Sequence, residues 1–178
     1  MPMRILAVSD SHHDISGLVP VLKKFAREVD LIAHMGDGVE DLERAARVAR
    51  VLLPRVEGVR GNGDSDPDLW PRRLIGSSDR PILLLHGHHE GVNDDLGRIV
   101  IAAESAGAKL VLFGHTHRPF FEEYRGVVAL NPGSISRPRG RELPTFAIVD
   151  VPEDPALWFA ITFYEVGSGI VRIREINL

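Results

Sequence analysis

Five short segments of the chain combine carboxylates, imidazoles and one amide with glycine, and each follows an apolar run. Oxygen and nitrogen donors mixed in this way suit two adjacent divalent cations better than one structural zinc ion. Proteins use such a pair of cations for attack of a metal-bound hydroxide on a phosphorus ester. The segments are Asp10-Ser11-His12, Gly36-Asp37, Gly61-Asn62-Gly63-Asp64, His86-Gly87-His88 and Gly114-His115-Thr116-His117.

Each segment also has a purely structural interpretation when it is considered alone. Asp10 and His12 can form an ordinary surface turn. Asp37 can cap a helix, and Asn62 can occupy a left-handed turn. The ordered set nevertheless favours metal binding, because five of the eight histidines fall inside these segments. We expect His34, which lies on a predicted strand, to pack in the core or behind the ligands.

The bulk composition is that of an ordinary globular protein. The 178 residues are 44% hydrophobic and 26% charged, which favours one domain over residues 1–178. The absence of cysteine excludes disulfides, zinc–thiolate sites and thiol catalysis. A net charge of −4 argues against a stable nucleic-acid partner, although a nucleotide can still bind through metals. No apolar run is long enough for a signal peptide or a membrane span, so we expect a cytoplasmic protein without a membrane partner.

The elements that must position the five segments alternate between strand and helix in the first two thirds of the chain. After residue 118 the pattern changes to strands joined by turns, with a basic loop at 136–144, and no linker separates the two parts. We therefore predict one α/β domain with two sheets. Strands are predicted at 5–8, 31–35, 55–59, 81–85, 109–113, 120–124, 127–130, 146–151, 158–165 and 170–176, helices at 18–29, 39–51 and 94–106, and turns at 152–155 and 167–169.

All five segments come directly after predicted strands. In α/β sheets, ligands bind outside the carboxyl ends of the strands. Five strand ends can therefore converge on one rim, and this placement is stronger evidence for a site than any single motif.

The order of these motifs resembles the calcineurin-like metallophosphoesterase family. Residues Asn131-Pro132-Gly133-Ser134 further resemble a turn of its small bacterial and archaeal phosphodiesterase branch. The resemblance implies a four-layer αββα sandwich of two mixed β-sheets flanked by helices. It also implies that Asp37 bridges two metals, of which one is completed by Asp10, His12 and His117 and the other by Asn62, His86 and His115.

Two positions depart from a simple match to the family. His86 is the matching ligand position, but His88 lies beside it, and the sequence leaves open which of the two binds the metal. Gly63 stands where many family members have a histidine that protonates the leaving group. We expect His88 or a metal-bound water to replace this acid, and esters with good leaving groups to react best.

The resemblance implies a metal-dependent phosphodiesterase in which a hydroxide that bridges the two ions attacks phosphorus. Asp37 and Asn62 would act in catalysis as well as in metal binding. The sulfur-free donor set favours Mn²⁺, and Fe, Zn, Co and Ni are also compatible. The expected substrate is a small-molecule or nucleotide phosphodiester, and the sequence neither requires nor excludes a homo-oligomer.

Two other functions are compatible with the same residues. A phosphomonoesterase or nucleotidase would need more positive charge near the metals, for which Arg118, Arg137 and Arg139 are candidates. A catalytically inactive interaction scaffold is known on this fold, since relatives in membrane-trafficking complexes have lost catalysis. The presence of all seven ligand positions argues against the scaffold. Specificity would come from residues 65–69, 90–94 and 136–141.

Overall fold

The computed structural model describes residues 2–140, 143–154 and 156–177. Within these residues, no helix is long and apolar enough to cross a membrane. In chain order the elements are β1 Met3–Val8, α1 Leu18–Phe25, β2 Leu31–His34, α2 Asp41–Ala49, β3 Arg55–Gly58, β4 Arg72–Ser77, β5 Arg80–Leu85, α3 Gly97–Ser105, β6 Leu110–Leu112, β7 Pro119–Tyr124, β8 Val127–Pro132, β9 Thr145–Val151, β10 Ala160–Val166 and β11 Ile170–Asn177.

Two mixed sheets form the centre of the fold. The first sheet has the strand order β11-β10-β9-β1-β2-β3, in which β1, β2 and β3 run parallel and β9, β10 and β11 pair antiparallel. The second sheet has the order β4-β5-β6-β8-β7, with β5, β6 and β8 parallel and antiparallel strands at both edges.

Strand β1 shows how the sequence separates the layers. Its side chains alternate, so that Ile5 and Ala7 lie in the core between the two sheets, whereas Leu6 and Val8 face helices α1 and α2. Helix α3 covers the outer face of the second sheet. The layers therefore follow the order αββα, and the predicted sandwich of two mixed sheets is confirmed.

The helices are shorter than predicted because local hydrogen bonds close turns at their ends. Helix α1 ends at Phe25, and the N–H of Glu28 then bonds to the Phe25 carbonyl at 2.8 Å. Helix α2 ends where Arg50 adopts a left-handed conformation with φ 57°. Before α3, the N–H groups of Asp94 and Asp95 both bond back to the carbonyl of Gly91, so this stretch is a turn.

Strand β4 is absent from the sequence-based prediction. Only Ile75 of its six residues is buried, so the strand has no alternating apolar pattern. Strand β8 is longer than predicted and reaches Pro132. Residues 141 and 142 of the predicted loop, residue 155 of the predicted turn and the two end residues, 1 and 178, lie outside the described residues.

The ligand segments follow the carboxyl ends of β1, β2 and β3 in the first sheet and of β5 and β6 in the second. The strands are parallel within each of these sets, so their carboxyl ends lie on one edge of each sheet. The fold therefore presents all five segments at one end of the sandwich.

Candidate metal centre

Asp10 lies at the centre of the cluster, directly after β1. Its side chain is fully buried, and its Oδ1 is 3.3 Å from Nε2 of His117, 3.9 Å from Nε2 of His12 and 4.0 Å from Nε2 of His86. One carboxylate oxygen thus faces three imidazole nitrogens that come from both sheets. Its second oxygen accepts a hydrogen bond from the backbone N–H of His115 at 3.1 Å.

Asp37 lies between two of the same imidazoles, directly beyond the β2–Gly36 turn. Its Oδ2 is 3.6 Å from Nε2 of His12 and 3.4 Å from Nε2 of His86, and its Oδ1 accepts a hydrogen bond from the N–H of Gly63 at 2.6 Å. The side chains could hold metal ions in two overlapping groups. These are Asp10, His12 and His117, and Asp10, Asp37 and His86.

The remaining predicted ligands adjoin the second of these groups. Oδ1 of Asn62 is 3.2 Å from Nε2 of His86. The ring of His115 packs edge-on against that of His86, with 5.2 Å between the ring centroids. The structure therefore brings all seven predicted ligands together, and their metal coordination stays a prediction.

Backbone carbonyls fix the orientation of two of the imidazoles. Nδ1 of His86 lies 2.5 Å from the carbonyl oxygen of Met35, and Nδ1 of His117 lies 2.6 Å from that of Arg137. A carbonyl can only accept, so each Nδ1 carries the proton and donates it. In the neutral rings, both Nε2 lone pairs therefore face the carboxylates, as is typical of metal-binding histidines.

The donor set fits divalent cations. Oδ1 of Asp10 is buried and has no hydrogen-bond partner among the described residues. Nε2 of His12 lies 3.1 Å from Nε2 of His117, so two ring nitrogens meet beside that oxygen. Lone pairs and a carboxylate pointing at one small volume repel each other unless a proton or a cation lies between them.

Electrostatics keep the two carboxyl groups ionised. Burial alone would raise the pKa of Asp37, but a hydrogen bond from the protonated His86 ring and the charge of that ring hold the pKa well below the usual value. For Asp10, burial is likewise outweighed by His117, so the net pKa is also lowered. Both imidazoles respond in the opposite direction, because the carboxylates raise the pKa of His86 and of His117 despite burial.

The backbone is strained at most of the predicted ligands. Left-handed conformations of non-glycine residues cost about 1–3 kcal/mol each and concentrate at functional sites. Most of the strained non-glycine residues are ligands of the cluster. The hydrogen bonds that support the cluster must therefore stabilise these conformations. The strained ligands are Asp10 (φ 56°), His12 (φ 47°), Asp37 (φ 59°), His115 (φ 67°) and His117 (φ 60°).

Asp64 joins the loop after β2 to the loop after β3. One oxygen accepts the N–H groups of Asp37 and Gly61, both at 2.8 Å, and the other accepts that of Gly38 at 2.7 Å. The sequence places Asp64 in one of the five ligand segments without giving it a role, and its three hydrogen bonds are visible only in the structure.

The predicted turn at residues 131–134 supports the cluster from the other side. Ser134 donates its hydroxyl to the carbonyl of Asp10 at 2.7 Å, and Nδ2 of Asn131 donates to the carbonyl of Gly114 at 2.7 Å. Asp41 was missed altogether, although its carboxylate accepts the hydroxyl of Ser11 at 2.7 Å. Its position in the first turn of α2 is the one sequence signal that could have found it.

His88 and His34 lie outside the group of ring nitrogens that face Asp10 and Asp37. His86, not His88, directs Nε2 at both carboxylates, while the His88 ring lies 5.2 Å from the His86 ring. Burial and neighbouring imidazoles lower the pKa of His88 to about 4. His34 is fully buried, accepts the N–H of Gly36 at 3.2 Å and has a pKa lowered to about 4 by burial, which agrees with the expected role behind the ligands.

Comparison with known proteins agrees with this geometry. The family model for the calcineurin-like phosphoesterase superfamily domain matches residues 3–154. The probable metallophosphoesterase YsnB of Bacillus subtilis is 34% identical over 163 residues, which cover 92% of this chain and 91% of YsnB. The phosphodiesterase YfcE of Escherichia coli K12 is 27% identical over 171 residues, with 83% of this chain and 88% of YfcE covered. The crystal structure of Vps29 from Entamoeba histolytica complexed with zinc shares the fold, with a TM-score of 0.76 and 20% identity over 98% of this chain and 99% of Vps29.

Proposed function

The chain belongs to the calcineurin-like phosphoesterase superfamily, and we propose that it is a phosphodiesterase that works with two divalent cations held by the aspartate–histidine cluster. The observation that carries the proposal is the buried Oδ1 of Asp10, which has no hydrogen-bond partner in the described part of the chain and faces His12 from the first sheet and His86 and His117 from the second. Such an oxygen is well suited to a cation and poorly suited to an apolar core.

The residues divide into two sets around Asp37. One ion would be held by Asp10, His12, Asp37 and His117, and the other by Asp37, Asn62, His86 and His115. The position of Asp37 Oδ2, within 3.6 Å of one imidazole of each set, supports a bridging role. When bound, the cations would lower the pKa of a water molecule and neutralise charge on the phosphoryl oxygens. Oxygen and imidazole donors without sulfur favour Mn²⁺.

The chain's own polar groups would orient the ester. Oδ1 of Asn62 lies 3.2 Å from Nε2 of His86, and the N–H₂ group of the same amide can donate to a phosphoryl oxygen. His88 lies beside the cluster, and its Nδ1 is buried without a hydrogen-bond partner among the described residues. A neutral His88 ring can donate one hydrogen bond to an ester oxygen. Because Gly63 supplies no side chain, good leaving groups should react best.

The similarity to a named phosphodiesterase, YfcE, supports a diester as substrate. The similarity in fold to Vps29 keeps an interaction scaffold as the second candidate, and that protein is described as complexed with zinc. Metal binding alone therefore does not separate the two functions, and the deciding measurement must be turnover.

The test is hydrolysis of bis(p-nitrophenyl) phosphate by metal-stripped protein, with Mn²⁺ added back and p-nitrophenyl phosphate run in parallel. We expect diester turnover only with metal, and a loss of more than about 100-fold in Asp37→Asn, which exceeds the usual cost of changing a residue behind the ligands. Asp66→Asn, which changes an exposed carboxylate on the neighbouring loop after β3, serves as the control. Equal turnover without metal, or by Asp37→Asn, would contradict the proposal. Metal binding without turnover of either ester would favour the scaffold.

A further inference from the structure

A cavity of about 550 Å³ opens beside the metal centre, between the turn that precedes α3 and the start of β7. Thr116 lines this cavity and lies between His115 and His117 in the chain, so the cavity and the cluster share one loop. The volume is in the range of pockets that hold small organic ligands. We call it the arginine pocket, and its polar and aromatic lining includes Asp94, Asp95, Arg118, Phe120, Tyr124 and Arg139.

The two guanidinium groups give the arginine pocket hydrogen-bond donors for a polar ligand. Both side chains are exposed, and neither forms an ion pair with any residue of the described ranges. The backbone N–H of Arg139 bonds to the carbonyl of His117 at 3.3 Å.

A second cavity, lined in part by the loop after β3, has the reverse character. Its lining includes Glu40, Glu43, Asp64 and Asp66 together with His13 and apolar side chains. Its carboxylates repel a negatively charged group, whereas the arginine pocket balances two aspartates with two arginines. An ester with one uncharged polar arm is therefore favoured in one orientation, with that arm in the arginine pocket.

Aromatic rings give the arginine pocket a surface on which a planar group can stack. Phe120 and Tyr124 are four residues apart on β7 and so lie on the same face of the strand. Both are partly exposed, and Phe120 is held edge-on against the buried Phe113, with 6.2 Å between the ring centroids. Every nucleobase has a planar face that stacks on such rings. The exposed carboxylates of Asp94 and Asp95 can accept hydrogen bonds from ribose hydroxyls or base N–H groups.

We propose that the arginine pocket binds the nucleoside arm of a nucleotide phosphodiester, next to the metal centre that holds the scissile phosphate. The combination of guanidinium groups, stacking rings and acceptors in one cavity supports a nucleotide over a simple alkyl or sugar ester. This inference rests on the proposed phosphodiesterase function and names its substrate class.

The test compares two p-nitrophenyl diesters with the Mn²⁺-loaded protein: the p-nitrophenyl ester of thymidine 5′-monophosphate and bis(p-nitrophenyl) phosphate. The readout is the ratio of kcat/KM on the nucleotide ester to that on the simple ester. We expect this ratio to fall about tenfold in Arg139→Gln and in Phe120→Leu, since loss of a stacking or charge contact typically costs that much. Arg27→Gln changes an exposed arginine that follows helix α1 and does not line the pocket, so it should keep the ratio of the unchanged chain.

A second measurement separates recognition of the base from recognition of phosphate alone. AMP should inhibit hydrolysis of bis(p-nitrophenyl) phosphate at a lower concentration than ribose 5-phosphate, and Phe120→Leu should remove this difference. An unchanged ratio in both pocket variants, or equal inhibition by the two compounds, would overturn the inference. Absence of turnover of both esters by the unchanged, metal-loaded chain would instead contradict the proposed function itself.

Discussion

Asp64 is the residue on which the geometry of the first-sheet ligands depends most directly. Its carboxylate accepts the N–H groups of Asp37, Gly38 and Gly61 and so joins the loop after β2 to the loop after β3. In Asp64→Asn, an amide N–H₂ would replace one acceptor and face backbone donors. We expect Mn²⁺ affinity to fall about 10–100-fold, the usual cost of changing a residue behind the ligands. Isothermal titration calorimetry with metal-stripped protein measures this directly.

The control for Asp64→Asn is Asp66→Asn, two positions further along the same loop. Asp66 is exposed, and the one bond found for its side chain in the described part of the chain is from the N–H of Asp68 at 2.9 Å. This substitution removes the same charge without removing a hydrogen bond between the loop after β2 and the loop after β3. An equal loss of affinity in both variants would show that long-range charge, not the hydrogen bonds of Asp64, controls binding.

The sequence predicts the cluster well because five of the eight histidines fall inside the ligand segments and the ligands come in a recognisable order. It does not predict the residues that hold the cluster, because these come from distant parts of the chain. Ser134, for example, bonds to Asp10 across 124 positions. Serine and aspartate are also common on surfaces, so neither residue type nor spacing distinguishes a supporting residue from an ordinary turn.

Among the elements, the strands that carry the ligands are the ones that the sequence predicts best. Their apolar runs are buried on both faces, as in β2, where all four residues are buried. Strand β4 has no such pattern, because it is an edge strand with one buried side chain. Its existence depends on pairing with β5, which is a tertiary contact. The positions of the helix ends likewise depend on hydrogen bonds in turns, and the spacing of apolar residues does not predict these bonds.

The turn after β2 requires glycine at position 36. Gly36 has φ +95°, and a Cβ there would lie 2.7 Å from the backbone N of Gly61 and 2.8 Å from Nδ1 of His86. Gly36→Ala would therefore push apart two ligand loops as well as strain the backbone. We expect a loss of about 1–3 kcal/mol in the free energy of unfolding from the backbone term and a clear loss of Mn²⁺ affinity. Chemical denaturation and metal titration measure the two effects.

Gly107→Ala is a matched control for Gly36→Ala. Gly107 also has a left-handed conformation, with φ +69°, but a Cβ there would meet nothing within 4 Å. The control should lose stability through backbone strain and keep its metal affinity. If Gly36→Ala also bound metal normally, the packing of the loops would be more tolerant than the distances indicate.

In the whole molecule, the cluster joins the two sheets at one end of the sandwich. Asp10, Asp37 and Asn62 follow strands of the first sheet, whereas His86 and His115 follow strands of the second. Two bound cations would therefore link the sheets across the core. The link would also stabilise the strained conformations of the ligands, which carry a free-energy cost in the metal-free chain.

Removal of metal should consequently destabilise the whole fold. At a free Mn²⁺ concentration of about 100 times Kd, each occupied site adds about 2.7 kcal/mol to the free energy of unfolding. For a chain of this size, that corresponds to a rise in Tm of roughly 5–10 °C per site, which a chelator should reverse. In metal-free protein, amide hydrogen exchange should increase first at the carboxyl ends of β1, β2, β5 and β6, because the link lies there. The same thermal shift in Asp37→Asn would mean that the stabilising ion binds elsewhere, whereas loss of the shift in that variant would connect stability to the cluster.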